Sequence, residues 1–335
     1  MSTLTNLQPP LLGRELTARS LIRTIAILAG VLVVASAVCA SMGQLGWMWP
    51  WQNSARLSRV AAAATVGAAL AVAGSTLQSL LRNGLADPYV LGVSGGAGVG
   101  VLAAMVFLGR AAWAGGTAAA ALGAAVAMAA VYLIAQRRGR LDAYSLLLSG
   151  VIINTLSAAI MATLYLFAEP LELKRFINWS LGSIPDGAGG NVLLLSAAAT
   201  VASWLWLSLR GQAFNVQSLG DDVAASSGVH LTRLRLQTFC LAGVLTAVAV
   251  ALAGPIGFVG LIVPHVCRMI LGADHRRLIL ASGFIGATFL VIADTFCRST
   301  VLWFRQELPI GIVTAFAGAP FFLVLLRRRL REGQL

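Results

Sequence analysis

The stretch LQTFCLAGVLTAVAVALAGPIGFVGLIVPHVC, residues 236–267, contains no Lys, Arg, Asp or Glu. At about 1.5 Å per residue a single helix of that length would overrun a hydrocarbon core of about 30 Å. Gly254-Pro255-Ile256-Gly257, together with Pro264, supplies a break, because proline removes a backbone donor and clashes with the preceding turn. Two helices, 236–254 and 256–272, are therefore expected. Irregular backbone at membrane depth is tolerated only where protein or a water-filled cavity covers it, so the break belongs inside a bundle.

Outward from this stretch, further charge-free runs cover 24–55, 60–81, 88–109, 111–136, 143–168, 187–209 and 308–326. Each reaches or nearly reaches the roughly 20 apolar residues that span a bilayer. The full set of expected helices is 21–42, 57–81, 93–109, 113–136, 145–168, 191–210, 236–254, 256–272, 278–298 and 310–327, an all-α polytopic bundle of ten transmembrane helices. Hydrophobic residues make up 58% and charged residues 11%, with a mean hydropathy of +0.85. Soluble chains carry about a quarter charged residues, so this one lacks the means to wet its own surface. The first apolar run begins only after Arg14, Arg19 and Arg23, and no small-residue cleavage site follows it, so the run is expected to stay as helix one.

The net charge of +12 does not point to nucleic acid, because the basic residues sit at the ends of apolar runs and not on an aromatic-interleaved polar face. They set orientation instead. With the N-terminus inside, sixteen Lys and Arg residues fall at inner joints and seven at outer ones, Arg268 being unassigned. Short cytoplasmic loops hold the excess, which puts both termini in the cytoplasm. Alanine- and glycine-rich faces at 61–74 and 118–130 suit helices that associate in lipid by close backbone approach. No repeat of 20 to 50 residues stands out, and one membrane domain over 1–335 is the simplest division.

Chemistry-bearing residues are sparse. Cys39, Cys240, Cys267 and Cys297 stand singly, without the spacing of a zinc or redox site, and read as small buried hydrophobes. No catalytic set and no metal site emerges. The single lysine, Lys174, lies in LELKRF without a glycine-rich phosphate loop, so the chain is not expected to hydrolyse ATP or to bind a cofactor. Asp294 and Arg298 are four apart and read as a local ion pair. His265 follows Pro264 and reads as a structural hydrogen-bonding residue, while His230 and His275 read as solvated. Arg56 and Arg59, three apart, project from one face at the outer end of helix two. The longest polar stretch, Arg210 to Gln237, contains LGDDVAASSGVHLTRLR at 219–235. Asp221 and Asp222 suit the start of a short helix, Gly228 its left-handed end, and Leu231 to Leu236 a second short helix.

Five segments resemble the FecCD-type permeases, the iron-chelate and cobalamin family of bacterial ABC importers. They are Arg56-Leu57-Ser58-Arg59, RNGLADPYVLGVSGGAGVG at 82–100, LGDDVAASSGV at 219–229, GPIGFVGLIVPHVCR at 254–268, and ELPIGIVTAFAGAPFF at 307–322. One departure is Asn83-Gly84, where the family has Asn-Pro; glycine loosens a turn that proline would fix. The resemblance implies a type II ABC importer permease fold, in the bacterial inner (cytoplasmic) membrane, forming a homodimer with the path on the two-fold axis. It implies two copies of a cytoplasmic ATP-binding subunit that use ATP and Mg, and a periplasmic substrate-binding protein. Coupling to that ATPase falls by resemblance on helices at about 217–236, through Leu219, Gly220, Asp221, Asp222, Ala225, Gly228, Val229 and Arg233. Binding-protein docking falls on Arg56, Arg59 and Arg298. The cytoplasmic gate falls on Asn83, Leu85, Ala143 and Tyr144. The cargo implied is an iron chelate, a ferric siderophore or haem, with cobalamin as the alternative. A proton-coupled secondary transporter should instead show paired intramembrane carboxylates and inverted repeats, and only Asp294 is available.

Overall fold

The computed structural model describes residues 18–43, 46–47, 54–109, 116–137, 140–186 and 189–331. Arg14, Arg110 and Arg138 of the charge count, and the expected start of the fourth helix at 113, lie outside the described residues. The helices are α1 (Ala18–Ser41), α2 (Ser54–Leu80), α3 (Val93–Leu108), α4 (Gly116–Ala135), α5 (Ala143–Tyr165), α6 (Pro170–Ser180), α7 (Gly190–Leu209), α8 (Gly211–Ser218), α9 (Asp221–Ser226), α10 (Leu231–Ala253), α11 (Val259–Leu271), α12 (His275–Ser299), α13 (Val301–Phe304) and α14 (Ile310–Arg331). Two short antiparallel ladders tie Met42–Gly43 to Gly46–Trp47 and Gln136–Arg137 to Arg140–Leu141. Among the described residues, seven helices are long and apolar enough to cross a membrane, and the shorter apolar α3, α11 and α14 bring the number to the expected ten.

The bundle is built around α2. Its hydrophobic window is 83% buried, against none for the peripheral α1, and it packs against α10, α11 and α12. Glycine makes this approach possible. A Cβ on Gly67 would stand 2.2 Å from the carbonyl oxygen of Gly286 in α12, and one on Gly74 would stand 2.0 Å from that of Gly260 in α11. Gly96 of α3 and Gly123 of α4 meet in the same way. In lipid such backbone contact supplies the association that hydrophobicity does not.

The break in the seventh span falls at 254–258, between α10 and α11. Its polar backbone is satisfied by two residues from elsewhere in the chain. The Ser183 N–H donates to Ala253 O at 2.8 Å, while the Tyr89 hydroxyl donates to Ile256 O at 3.0 Å and accepts from Ile256 N at 2.7 Å. Pro264 corrects the expectation that it belongs to the break, since it sits inside α11. Its missing N–H frees the carbonyl four residues earlier, Gly260 O, and the Gln78 amide of α2 donates to that oxygen at 3.0 Å. The helix therefore survives its proline. The other Gln78 atom, Oε1, accepts from Arg268, so the side chain is engaged at both ends.

Helix α6 departs from the sequence expectation, which left 169–190 as a connection. Pro170 occupies the first turn and the Glu172 carboxylate accepts the Glu169 N–H at 3.4 Å, a capping box with proline at its start. The expected second short helix at 231–236 is instead the first turns of α10, and the true pair is α8 and α9. Cys39, Cys267 and Cys297 are buried as expected; Cys240 is exposed, on the wall of an apolar groove between α4, α7 and α10.

Gly74→Leu is expected to destabilise the bundle by about 1–3 kcal/mol or more through overpacking against the α11 backbone. Gly30→Leu, with no neighbour within 4 Å of the added carbon, should change stability by less than about 0.5 kcal/mol. Thermal midpoints of the purified variants in detergent check the contrast.

Candidate functional site

Hydrogen bonds sort the loops into two ends. At the arginine-rich end, Arg277 of α12 reaches Ser20 of α1, Arg82 after α2 reaches Gln217 O in α8, Arg235 of α10 reaches Leu141 O, and Asn215 of α8 donates to Asp274. At the opposite end the α2 start, the α6–α7 loop and the α13–α14 loop converge.

The knob at the arginine-rich end is α8 and α9. Gly220 opens α9 at φ +129 and Gly228 closes it at φ +81, backbone that favours glycine. Asp221 and Asp222 occupy the first turn, where carboxylates suit the helix dipole. Leu219 (72% exposed), Asp222, Ala225, Gly228 and Arg233 face outward, and Val229 is half-buried. Asp221 turns inward instead, pairing with Arg82 at 2.5 Å and Arg235 at 2.6 Å. A recess of about 830 Å³ lies beside it, lined by Leu141, Asp222, His230 and Arg233 among others. His275, expected to be solvated, is half-buried in the joint behind the knob, with Nδ1 2.8 Å from Asn215 Oδ1 and its ring tilted on Phe214. His230 is exposed.

The four gate candidates lie at this same end. The Asn83 carboxamide accepts the Leu85 N–H at 2.9 Å, so the side chain fixes the turn that the missing proline leaves loose. Leu85 and Tyr144 are exposed, Ala143 half-buried. Asp142 caps α5 by accepting the Ser145 N–H at 2.9 Å; that bond holds its carboxyl below the usual carboxylate range.

The three arginines expected on an accessible outer face are placed otherwise. Arg59 is 4% exposed and Arg298 7%, while Arg56 is half-buried. The cause is carboxylate supply from within the chain. Arg59 Nε donates to Asp294 at 3.0 Å, its NH1 meets Asp186 at 2.8 Å and its NH2 meets Glu307 at 2.9 Å. Asp294, fully buried, also pairs with Arg298 at 3.2 Å, as the i, i+4 spacing implies. Sequence reading missed the α2–α12 pairing, because residues 59 and 294 are adjacent only in space. The mark that could have flagged it was a lone carboxylate deep in a span, which demands a cation.

A cavity of about 600 Å³ is walled by Ser180 and Leu181 after α6, by Pro255, Gly257 and Phe258 of the break, and by Gly311, Ala315, Phe316 and Pro320 of α14. Its lining carries no charged side chain. The mouth is tied by backbone: Ile310 N donates to Gly182 O at 2.9 Å. His265 lies nearby in α11, half-buried and edge-on to Phe321, with ring centroids 5.9 Å apart.

Residues 49–328 match the FecCD transport family. The cobalamin import system permease protein BtuC of Halobacterium salinarum is 41% identical over 274 residues, spanning 82% of this chain and 72% of that protein. The hemin transport system permease protein HmuU of Yersinia pestis is 37% identical over 85% of this chain and 86% of its own length. A solved metal-chelate type ABC transporter in an inward-facing conformation superposes with a TM-score of 0.80 at 30% identity, over 92% of this chain and 99% of that one.

Arg59→Met should destabilise the protein by about 3–5 kcal/mol, because it strands the buried Asp294 carboxylate with Arg298 alone. Adding Asp294→Leu should recover most of the loss. Thermal unfolding of the single and double variants in detergent checks the pairing.

Proposed function

The chain belongs to the FecCD transport family, and from that premise we propose that it is the membrane-spanning permease subunit of an ATP-driven importer of metal chelates. The observation that carries this reading is the α8–α9 knob. It projects between two spans at the arginine-rich end, which the positive-inside rule assigns to the cytoplasm. Its exposed Leu219 and Val223, beside Asp222, offer the apolar centre and charged rim of a docking element. The chain has no phosphate loop of its own, so the work comes from a separate ATPase.

In this reading two copies of the permease form a homodimer in the inner membrane, each engaging an ATP-binding subunit through Leu219 to Arg233. A periplasmic binding protein delivers the cargo at the opposite end. There Arg56 is the least buried of the three arginines, while Arg59 and Arg298 act from within, by field and by positioning the Asp186 and Glu307 loops. Closure of the ATPases on ATP moves the knobs and rocks the subunits as rigid bodies. Asn83, Leu85, Ala143 and Tyr144 close the path on the cytoplasmic side.

The uncharged wall of the 600 Å³ cavity suits a bulky cargo whose metal already has its full ligand set. An iron chelate, a ferric siderophore or haem, is the first reading. Cobalamin is the second, favoured by the 41% identity to a cobalamin permease.

Proteoliposomes holding the chain, its ATP-binding subunit and its binding protein are expected to take up a ferric chelate with ATP, and more slowly or not at all cobalamin. Side-by-side assays with haem, a ferric siderophore and cobalamin decide the cargo. Uptake that persists with an inactive ATPase would overturn the importer reading.

A further inference from the structure

Arg82 closes α2 with φ +48, one of three non-glycine residues in the left-handed region among the described residues. That backbone is the left-handed end of a Schellman turn, in which Arg82 N donates to Ser79 O and Asn83 N to Gln78 O. The side chain it carries reaches the knob. One guanidinium nitrogen of Arg82 donates to Gln217 O in α8 at 2.8 Å and to Asp221 Oδ1 in α9 at 2.5 Å. The second oxygen of the same carboxylate accepts from Arg235 at 2.6 Å, and Arg235 also reaches Leu141 O at 3.3 Å.

The sequence neighbours of those contacts matter. Arg82 is followed by Asn83, whose side chain fixes Leu85, and Leu141 by Asp142, which caps the helix bearing Ala143 and Tyr144. An unbroken line of short bonds therefore runs from one candidate gate loop, through the first residue of α9, to the other. Asp222, next in the chain, points outward, whereas both oxygens of Asp221 are spent inward.

We infer that Arg82 and Arg235 are positioning residues for coupling: through Asp221 they join the knob to both cytoplasmic gate loops, so that a displacement of α9 reaches residues 82–85 and 141–144 together. The inference rests on the permease reading above. Stability is a poor explanation of the network, since Arg82 and Asp221 are each 42% exposed at the side chain and exposed ion pairs add little to folding. Charge-assisted contacts converging on one carboxylate do fix direction and register. A link of this kind has to survive being pulled, which two guanidinium donors on one anion provide better than a single contact.

The test uses the full complex of this chain with its ATP-binding subunit and binding protein in proteoliposomes, measuring assembly, ATP hydrolysis and uptake on the same preparation. Arg82→Gln combined with Arg235→Gln should assemble and hydrolyse ATP near the wild-type rate, while uptake per ATP falls by about 5- to 150-fold, the usual span of a coupling free energy. Arg82→Lys with Arg235→Lys, which keeps charge and donors, should recover most of the ratio. Arg276→Gln, at the same end but paired only with Asp274 among the ion pairs described, should leave it unchanged. An unaltered uptake-to-hydrolysis ratio in the double Gln variant would overturn the inference. So would loss of assembly in that variant, because it would make the two arginines part of the docking face. Failure of the wild-type chain to show ATP-dependent uptake would instead remove the permease reading beneath it.

Discussion

A polar backbone group inside hydrocarbon must find its partner within the protein, and the break at 254–258 is where this chain meets that demand. Gly254 and Pro255 end α10, and the freed carbonyls and amides of the turn need partners within the protein. Tyr89 and Ser183 supply bonds at the break, and Gln78 does the same for Gly260 O in α11. Together they tie the turn before α3 and the loop after α6 to the break, and the C-terminal end of α2 to α11.

The same rule applies to charge. Asp294 in α12 is fully buried, and an isolated carboxylate at that depth would cost several kcal/mol. Arg59 and Arg298 offset it, and the remaining nitrogens of Arg59 recruit Asp186 and Glu307 from two loops. One guanidinium thereby holds α2, α12 and the loops that lead from α6 and into α14. Those two loops are thereby fixed to the helix bundle by charge.

The two ends of the molecule differ in how their arginines are used. At the end where α2 starts, Arg59 and Arg298 are buried in ion pairs with Asp294. At the arginine-rich end Arg82, Arg235 and Arg276 are part-exposed, and their pairs fix geometry at little energetic gain. Desolvated ion pairs at one end and part-exposed ones at the other therefore hold the molecule in different ways.

Much of this architecture was legible in the residues. Hydropathy, with Gly254-Pro255 marking the break, located ten apolar helices, seven of which among the described residues are long enough to cross a membrane. The alternation of glycine and alanine in α2 announced close packing, and Asp221 with Gly228 marked a short helix on the knob. Helix α6 was missed although Glu169-Pro170 and Glu172 carried its start signal, since its apolar content falls short of a span. Tertiary structure alone decided that Arg59 meets Asp294 across 235 positions of sequence, that Gln78 repairs the helix around Pro264, and that Arg82, Asp221 and Arg235 converge. The reason is physical: propensity, length and capping act over one or two turns and can be read along the chain, whereas the pairing of a buried charge or an orphaned carbonyl depends on which helices lie side by side.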